Sequence, residues 1–286
     1  MPKIKNFKHS KSLPRPTQQQ LNEFITNNNI NLKKNTKQIG ELQQALNAEG
    51  KQGLLVIFQA LDAAGKDSTI RNVFKLCDPA GLNVASFKSP SKLEAAHDFM
   101  WRCYQQLPAK GQLTVFNRSY YEETLVVKVH PEFLKGQGID EKPDKAFWQQ
   151  RYDFINQVEA HLVASGTQVI KFFLDVSQTI QHSRFIRRYS TPEKQWKFNT
   201  GDLKESLHWD KYQKAFTTLL NKTSTKVAPW YVIPADDKPN MRAMVAEIVM
   251  QRMKDMSFQY PAIPDFDADD LKLIDDLVKN HQKTSS

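Results

Sequence analysis

The residues that most constrain the fold lie at Phe58–Thr69, where the chain reads FQALDAAGKDST. A short apolar run, Leu54–Phe58, precedes this loop and suits a buried strand, while Ile70–Phe74 suits a helix. A strand, a tight loop with a Gly-Lys pair and a helix together are typical of a phosphate-binding loop. Backbone N–H groups at the helix N-terminus then hold the phosphate oxygens. We therefore predict an α/β fold with a phosphate site at the end of its first strand.

Lys66 supplies the positive charge of this predicted site. The other loop residues that we expect to contact phosphate are Ala63, Ala64, Gly65, Asp67, Ser68 and Thr69. An ordinary strand-to-helix turn that happens to contain Ala-Gly is the alternative interpretation.

The loop departs from the usual pattern G-x-x-x-x-G-K-[ST] at both ends. Ala60 holds the first Gly position, and Asp67 stands where a Ser or Thr hydroxyl normally meets Mg²⁺. Asp62 adds a carboxylate inside the loop, which repels phosphate unless a metal ion lies between them. The sequence therefore predicts Mg²⁺ as cofactor, with Asp62 as its ligand.

Composition fits one α/β domain in the cytoplasm. The chain of 286 residues is 40% hydrophobic, which is enough for a sizeable core, and its two cysteines indicate no disulfide framework. No apolar stretch follows the basic start, so we expect no signal peptide. No apolar run is long enough to span a membrane, and we expect no membrane partner.

The net charge of +9 is unevenly distributed. Lys and Arg outnumber acids eight to three in residues 1–50, whereas acids outnumber Lys six to three in residues 261–286, so the central body is itself basic. A basic body favours a polyanionic partner, which could be nucleic acid, an anionic membrane surface or a phosphate polymer. A merely soluble basic surface is the alternative.

Strand and helix patterns alternate along the chain, which predicts a parallel sheet with right-handed crossovers. The further predicted strands are Val84–Lys88, Leu113–Asn117, Val169–Leu174 and Trp230–Pro234. The predicted helices are 34–48, 92–106, 144–164, 178–190, 205–221, 239–255 and a short acidic helix at Asp267–Asn280.

Ligands of such sheets bind beyond the carboxyl ends of the strands. Lys88 follows the second strand, and Asn117, Arg118 and Glu122 follow the third, so these side chains are expected near the loop. Arg118 can bind phosphate through two parallel hydrogen bonds. The alternatives are a surface position for Lys88, a helix cap for Asn117 and a first-turn helix acid for Glu122.

A second basic cluster lies at about 178–210. Arg184 and Arg188 are four residues apart and share one helix face, and Lys197 follows in a polar turn. A basic helix–loop–helix between two strands is typical of a lid that closes over phosphates. A solvated basic face is the alternative.

Six segments of the sequence are similar to motifs of the family-two polyphosphate kinases and occur in that family's order. They are Phe58–Asp67, Ser86–Ser91, His97–Arg102, Phe116–Glu122, Trp196–Asp202 and Ala228–Tyr231, within a resemblance that covers roughly residues 35–255.

This resemblance implies a P-loop kinase-like, three-layer α/β/α fold with a five-stranded parallel sheet and a helical lid. It also implies Mg²⁺-dependent phosphoryl transfer between inorganic polyphosphate and adenine or guanine nucleotides, by a homo-oligomer of two or four subunits. The catalytic residues would be Asp62, Lys66 and Arg118. The basic residues of the lid would be Arg184, Arg188 and Lys197. Much of the family has Asp at the position of Asn117, and the Asn resembles the subgroup that accepts both AMP and ADP.

The resemblance divides the chain into a basic N-terminal extension at 1–33, a kinase domain at 34–258 and an acidic tail helix at 259–286. Two alternatives stay open: an ATP-dependent nucleoside-monophosphate kinase of the same fold, and a basic nucleic-acid-binding protein. We expect no nucleic acid as partner, because the aromatic residues mostly stand in apolar contexts instead of beside basic groups.

Overall fold

Five parallel strands form the centre of the protein in a computed structural model that describes residues 4–262 and 265–284. The strands are β1 (Gly53–Ala60), β2 (Leu82–Ser86), β3 (Leu113–Asn117), β4 (Thr167–Asp175) and β5 (Trp230–Pro234). Their order across the sheet is β2-β3-β1-β4-β5, so β1 is central. In this register Phe58 lies beside Asn117 of β3 on one side and Phe172 of β4 on the other. All five predicted strands are thus confirmed, with ends that differ by a few residues.

Helices cover both faces of the sheet. The helices are α1 (Gln18–Asn27), α2 (Leu32–Glu49), α3 (Lys66–Val73), α4 (Lys92–Ala95), α5 (Trp101–Tyr104), α6 (Val126–Val129), α7 (Lys145–Ala164), α8 (Gln178–Ser190), α9 (Pro192–Gln195), α10 (Thr200–Ser206), α11 (Trp209–Thr223), α12 (Lys238–Asp255) and α13 (Ala268–Thr284). Short 3₁₀ helices occupy Ile4–Phe7, Pro79–Gly81, Tyr120–Thr124 and Pro131–Gln137.

Alternate residues of β1 face two separate cores. Leu54, Val56 and Phe58 pack with α2, α3 and α12, whereas Leu55 and Ile57 pack with α7 and α11. Both faces of β1 are therefore buried, which is why its sequence is continuously apolar instead of alternating. The predicted three-layer α/β/α architecture is confirmed.

Two predicted helices are wrong in extent. Residues 92–106 form α4 and α5 instead of one helix, because Asp98 Oδ1 accepts a hydrogen bond from the N–H of Met100, and this local turn competes with helical bonding. The predicted helix 205–221 begins only at Trp209. Hydrogen bonds between residues three apart, such as that from His208 N to Glu205 O, form a tight turn after α10 and separate it from α11.

The first described residues also pack on the sheet. Phe7 and Leu21 are buried in the core that contains α12, and Lys8 forms an antiparallel bridge with Tyr231 of β5. Arg15 forms an ion pair with Asp175 at the end of β4. The division of the chain at residues 33 and 258 stays a prediction.

In 4–262 and 265–284, none of the helices combines the length and the apolar character needed to cross a membrane.

A charged pair is completely buried beneath the segment that follows β3. Lys171 of β4 donates to Glu159 of α7 and to the carbonyl of Thr223, and Glu159 also accepts hydrogen bonds from the hydroxyls of Tyr120 and Tyr121. Burial lowers the pKa of Lys171 and raises those of both tyrosines. This network fixes the backbone immediately after Arg118.

We expect Glu159→Leu to lower the free energy of unfolding by about 3–5 kcal/mol, because it leaves the Lys171 ammonium buried without its carboxylate. Urea denaturation measures this loss. The double variant Glu159→Leu/Lys171→Met removes both charges and should recover part of the stability. A double variant less stable than Glu159→Leu alone would contradict the role of the pair.

Candidate active site

The phosphate-binding loop turns sharply between β1 and α3. Gly65, the residue before α3, has φ of 110°, and Ala63 has φ of 61°. A glycine tolerates this left-handed conformation without steric cost. Ser68 and Thr69 both donate their hydroxyls to the carbonyl of Gly65, which fixes the first turn of α3 against the loop.

The Lys66 side chain folds back along the loop and is only 9% exposed. Its Nζ donates to the carbonyl oxygens of Ala60 and Leu61, at 2.8 and 3.3 Å. An ammonium has three donors, so one remains for a phosphate oxygen. Burial and the neighbouring Arg118 lower the pKa of Lys66 to about 8.

Arg118 joins the loop to the segment after β3. Its guanidinium donates to Asp62 at 2.6 Å and to Glu122 at 2.9 Å, and Glu122 also accepts from Gln59. The carboxylate of Glu122 contributes most to raising the pKa of Arg118, so the guanidinium stays positively charged. Arg118 has φ of 65°, a conformation that is costly for a non-glycine residue and that the hydrogen bond from its N–H to the Phe58 carbonyl supports.

Asn117 forms a hydrogen bond with Asp67, the second acid of the loop. Its Nδ2 donates to Asp67 Oδ1 at 2.7 Å, across the gap between the end of β3 and the start of α3. An aspartate at position 117 could not make this bond in its ionised form, because it would have no donor. The Asn117 side chain therefore orients Asp67 without adding a negative charge.

The lid contacts the loop through its first helix, α8. Arg184 donates to the carbonyls of Ala63 and Ala64 and also to those of Ala235 and Asp236 after β5. Its guanidinium thus ties the loop to the end of β5. Arg188 forms an ion pair with Asp202 of α10 at 3.0 Å, which joins the two arms of the lid.

A large cationic cavity of about 1200 Å³ lies between the loop and the lid. Most of the residues predicted from the sequence line it together: Asp62, Ala63, Gly65, Lys66, Asp67, Ser68, Lys88, Asn117, Arg118, Arg184, Arg188 and Lys197. Three predicted residues do not line this cavity. Ala64 and Thr69 are completely buried, and Glu122 lines the adjacent cavity instead.

The adjacent cavity, of about 630 Å³, has a different character. Phe87, Phe99 and Phe133 supply aromatic surface, and Glu94, Glu122, Glu123 and Glu132 supply acids. Arg118 and Lys88 line both cavities. A cationic cavity and an aromatic cavity therefore meet at a fixed guanidinium.

Sequence reasoning missed several cations of the large cavity. Lys238 and Arg242 of α12 and Arg71 of α3 line it, although none lies in a motif. Lys238 follows β5 by four residues, so the rule that ligands bind beyond strand ends could have found it.

The acids of the loop suit a hard divalent cation that arrives with phosphates. Asp62 and Asp67 each bond a neighbour through Oδ1, so their other carboxylate oxygens can face the cavity. Mg²⁺ usually takes one or two carboxylates and fills its remaining positions with water and phosphate oxygens. Across the described ranges, no group of three or more His, Cys, Asp or Glu residues could hold a metal ion without such help.

Comparison with known proteins agrees with the chemistry of this site. Residues 25–261 match the family Polyphosphate kinase 2 (PPK2). The chain is 45% identical over 232 residues to an ADP-polyphosphate phosphotransferase of Rhodopseudomonas palustris, with 80% of each chain covered. It is 43% identical over 225 residues to an AMP/ADP-polyphosphate phosphotransferase of Meiothermus ruber, covering 79% of this chain and 80% of the relative.

The fold is similar to that of a solved relative. The crystal structure of Polyphosphate Kinase 2 from Arthrobacter aurescens TC1 superposes with a TM-score of 0.82 at 31% identity, covering 94% of this chain and 95% of that one. These matches confirm the resemblance drawn from the six motifs. The chain belongs to the polyphosphate kinase 2 family.

Proposed function

We propose that this protein transfers phosphoryl groups reversibly between inorganic polyphosphate and adenine nucleotides, with Mg²⁺ as cofactor and with AMP and ADP as acceptors. One observation carries the proposal: a cationic cavity and an aromatic cavity share Arg118 and Lys88. The names of the two relatives support the choice of substrates. Membership of a kinase family implies a divalent cation in general, and the oxygen donors of Asp62 support Mg²⁺.

In this proposal each substrate occupies the cavity that matches its chemistry. Polyphosphate has no apolar part and many negative charges, so it binds where Lys66, Arg184 and Arg188 line the wall. A nucleoside has an aromatic base, so it binds near Phe87, Phe99 and Phe133. The terminal phosphate of the nucleotide then points to Arg118, at the border between the two cavities.

The reaction needs positioning and charge neutralisation more than covalent chemistry. A terminal phosphate oxygen of the acceptor attacks the end phosphorus of polyphosphate in line, and the next bridging oxygen of the chain leaves with the bond electrons. Lys66 and Arg118 stabilise the charge that develops on the transferred group. Asp62 would hold Mg²⁺, which would supply positive charge to offset that of the phosphates. The acceptor oxygen is already anionic, so no strong general base is required.

Asn117 supports acceptance of both AMP and ADP in this proposal. It orients Asp67 with a neutral amide, so the cationic cavity carries one negative charge fewer beside Arg118 than it would with aspartate. An acceptor with one phosphate more, and therefore more charge, meets less repulsion there.

A cytoplasmic location, the assembly into a dimer or tetramer, and the absence of nucleic acid as partner stay predictions.

A panel of donors and acceptors tests the function. With Mg²⁺ present, we expect ATP to form from ADP plus polyphosphate, and ADP to form from AMP plus polyphosphate, as followed by a luciferase-coupled assay and by chromatography. Removal of Mg²⁺ with a chelator should abolish both. No transfer from polyphosphate, together with brisk transfer from ATP to AMP, would support a nucleoside-monophosphate kinase instead.

Lys66→Ala should lower kcat by about 10²–10³, because one charge that stabilises the transition state is lost. Lys34→Ala, which removes an exposed cation from α2, is the matched control and should leave kcat unchanged. Melting temperatures of both variants should stay close to that of the wild type. Near-normal turnover in Lys66→Ala would remove this lysine from the reaction.

Asp62→Asn tests the metal ligand separately. We expect most turnover to be lost at low Mg²⁺, and the Mg²⁺ concentration for half-maximal activity to rise, because an amide binds the cation more weakly than a carboxylate does. Binding of Mn²⁺ in the presence of polyphosphate, measured by electron paramagnetic resonance, should weaken in parallel. Unchanged metal dependence would contradict Asp62 as ligand.

A further inference from the structure

The side chain of Gln18, the first residue of α1, reaches the turn between β5 and α12. Its Oε1 accepts hydrogen bonds from the N–H groups of Asp236 and Asp237, both at 3.1 Å. Its Nε2 donates to Asn22 Oδ1, one turn further along α1, and this bond holds the amide in its orientation. Gln18 precedes residues 25–261, which match the family, so this contact comes from outside the matched region.

Arg184 of the lid holds the same turn from the other side. Its Nη2 donates to the carbonyl oxygens of Ala235, at 2.7 Å, and of Asp236, at 2.9 Å. The carbonyl of Ala235 and the N–H of Asp236 belong to one planar peptide unit, and the next unit ends in the N–H of Asp237. Each of the two units is therefore bonded at both ends, to Gln18 through its N–H and to Arg184 through its carbonyl.

Arg184 also holds the phosphate-binding loop. Its Nη1 donates to the carbonyls of Ala63 and Ala64, both at 3.0 Å. The C=O and N–H of a trans peptide point in opposite directions, so the bond to the Ala64 carbonyl also sets the direction of the Gly65 N–H. Gly65 lines the cationic cavity, where such an N–H can donate to a phosphate oxygen.

The conformation of the loop depends on such external support. Ala63 has φ of 61°, which is costly for a residue other than glycine and persists only where the surroundings hold it. Consecutive hydrogen bonds polarise one another, so the loss of one bond weakens the next. Without the Gln18 acceptor, the two peptide units after β5 are free to rotate, and Arg184 then loses two of its fixed acceptors.

We propose that Gln18 is a positioning residue for phosphoryl transfer: it orients Arg184 through the turn after β5, and Arg184 in turn orients the phosphate-binding loop. This inference rests on the proposed function, since its kinetic test measures transfer from polyphosphate. Gln18 is not among the residues that line the cationic cavity, so it acts through its neighbours. The segment before residue 25 thereby supports the active site.

Gln18→Met removes the acceptor and keeps a side chain of similar length. We expect kcat with ADP and polyphosphate to fall about tenfold, because a small displacement of the phosphate-binding loop misaligns the reacting groups. KM for ADP should stay near the wild-type value, since Gln18 is not among the residues that line the aromatic cavity. Leu21 and Ile25 still bury α1 in the core, so the melting temperature should stay close to that of the wild type.

The matched control is Gln19→Met. Gln19 is the next residue of α1, and its exposed side chain donates to Glu23 on the same helix. This variant removes the same amide from the same helix and should leave kcat unchanged. Equal kcat values for Gln18→Met and Gln19→Met would overturn the proposal.

A double-mutant cycle tests whether Gln18 acts through Arg184. Arg184→Lys keeps the charge but cannot hold four carbonyls, because an ammonium has three donors. If both residues belong to one chain of contacts, Gln18→Met added to Arg184→Lys should lower kcat by less than about twofold. A further fall of about tenfold would mean independent effects, as general weakening of the fold would produce, and would overturn the proposal.

Amide hydrogen exchange, measured by mass spectrometry on the free protein, separates this inference from the proposed function. Peptides that cover residues 60–69 and 235–238 should exchange faster in Gln18→Met than in Gln19→Met, because their amides open more often. Equal exchange would refute the role of Gln18 and leave the assignment of the donor unaffected. If the wild type transferred nothing from polyphosphate, the proposed function would fail, and the exchange comparison would still decide the role of Gln18.

Discussion

The parallel direction of all five strands is the constraint on which the rest of the protein depends. Because β1 is central and runs parallel to its neighbours, the segments that leave β1, β3, β4 and β5 begin on one edge of the sheet. The phosphate loop, Arg118, the lid and Lys238 therefore converge although nearly 180 residues of chain separate the first from the last. The buried pair of Lys171 and Glu159 then stabilises the backbone beside Arg118.

Electrostatics divides this edge into two parts. Beside the phosphate loop, acids accept hydrogen bonds from Arg118 and Asn117 and offset the positive charge there, and their remaining oxygens suit a divalent cation. Toward α12, by contrast, the cations lack carboxylate partners in the described chain and repel one another.

Much of the fold could be predicted because local pattern and tertiary structure agree. Leu54–Phe58 is apolar on both faces because helices cover both faces, and α8 is bounded as predicted because Ser177 caps its first turn. The prediction of one helix at 92–106 was wrong because the hydrogen bond that Asp98 accepts from the N–H of Met100 outweighs helical propensity there. The predicted start of α11 was wrong for a similar reason, since a tight turn at Glu205–His208 interrupts the apolar periodicity.

The sequence by itself determined the phosphate loop, with its acid Asp62, and the family, because these depend on residues that are close along the chain. Only the tertiary structure decided the partners of each charge. It directs Arg184 to backbone carbonyls, buries Thr69, and brings Arg71, Lys238 and Arg242 into one cavity. The physical reason is that a charge acts over distances in space, and helices and strands of a folded sheet bring together groups that no sequence motif connects.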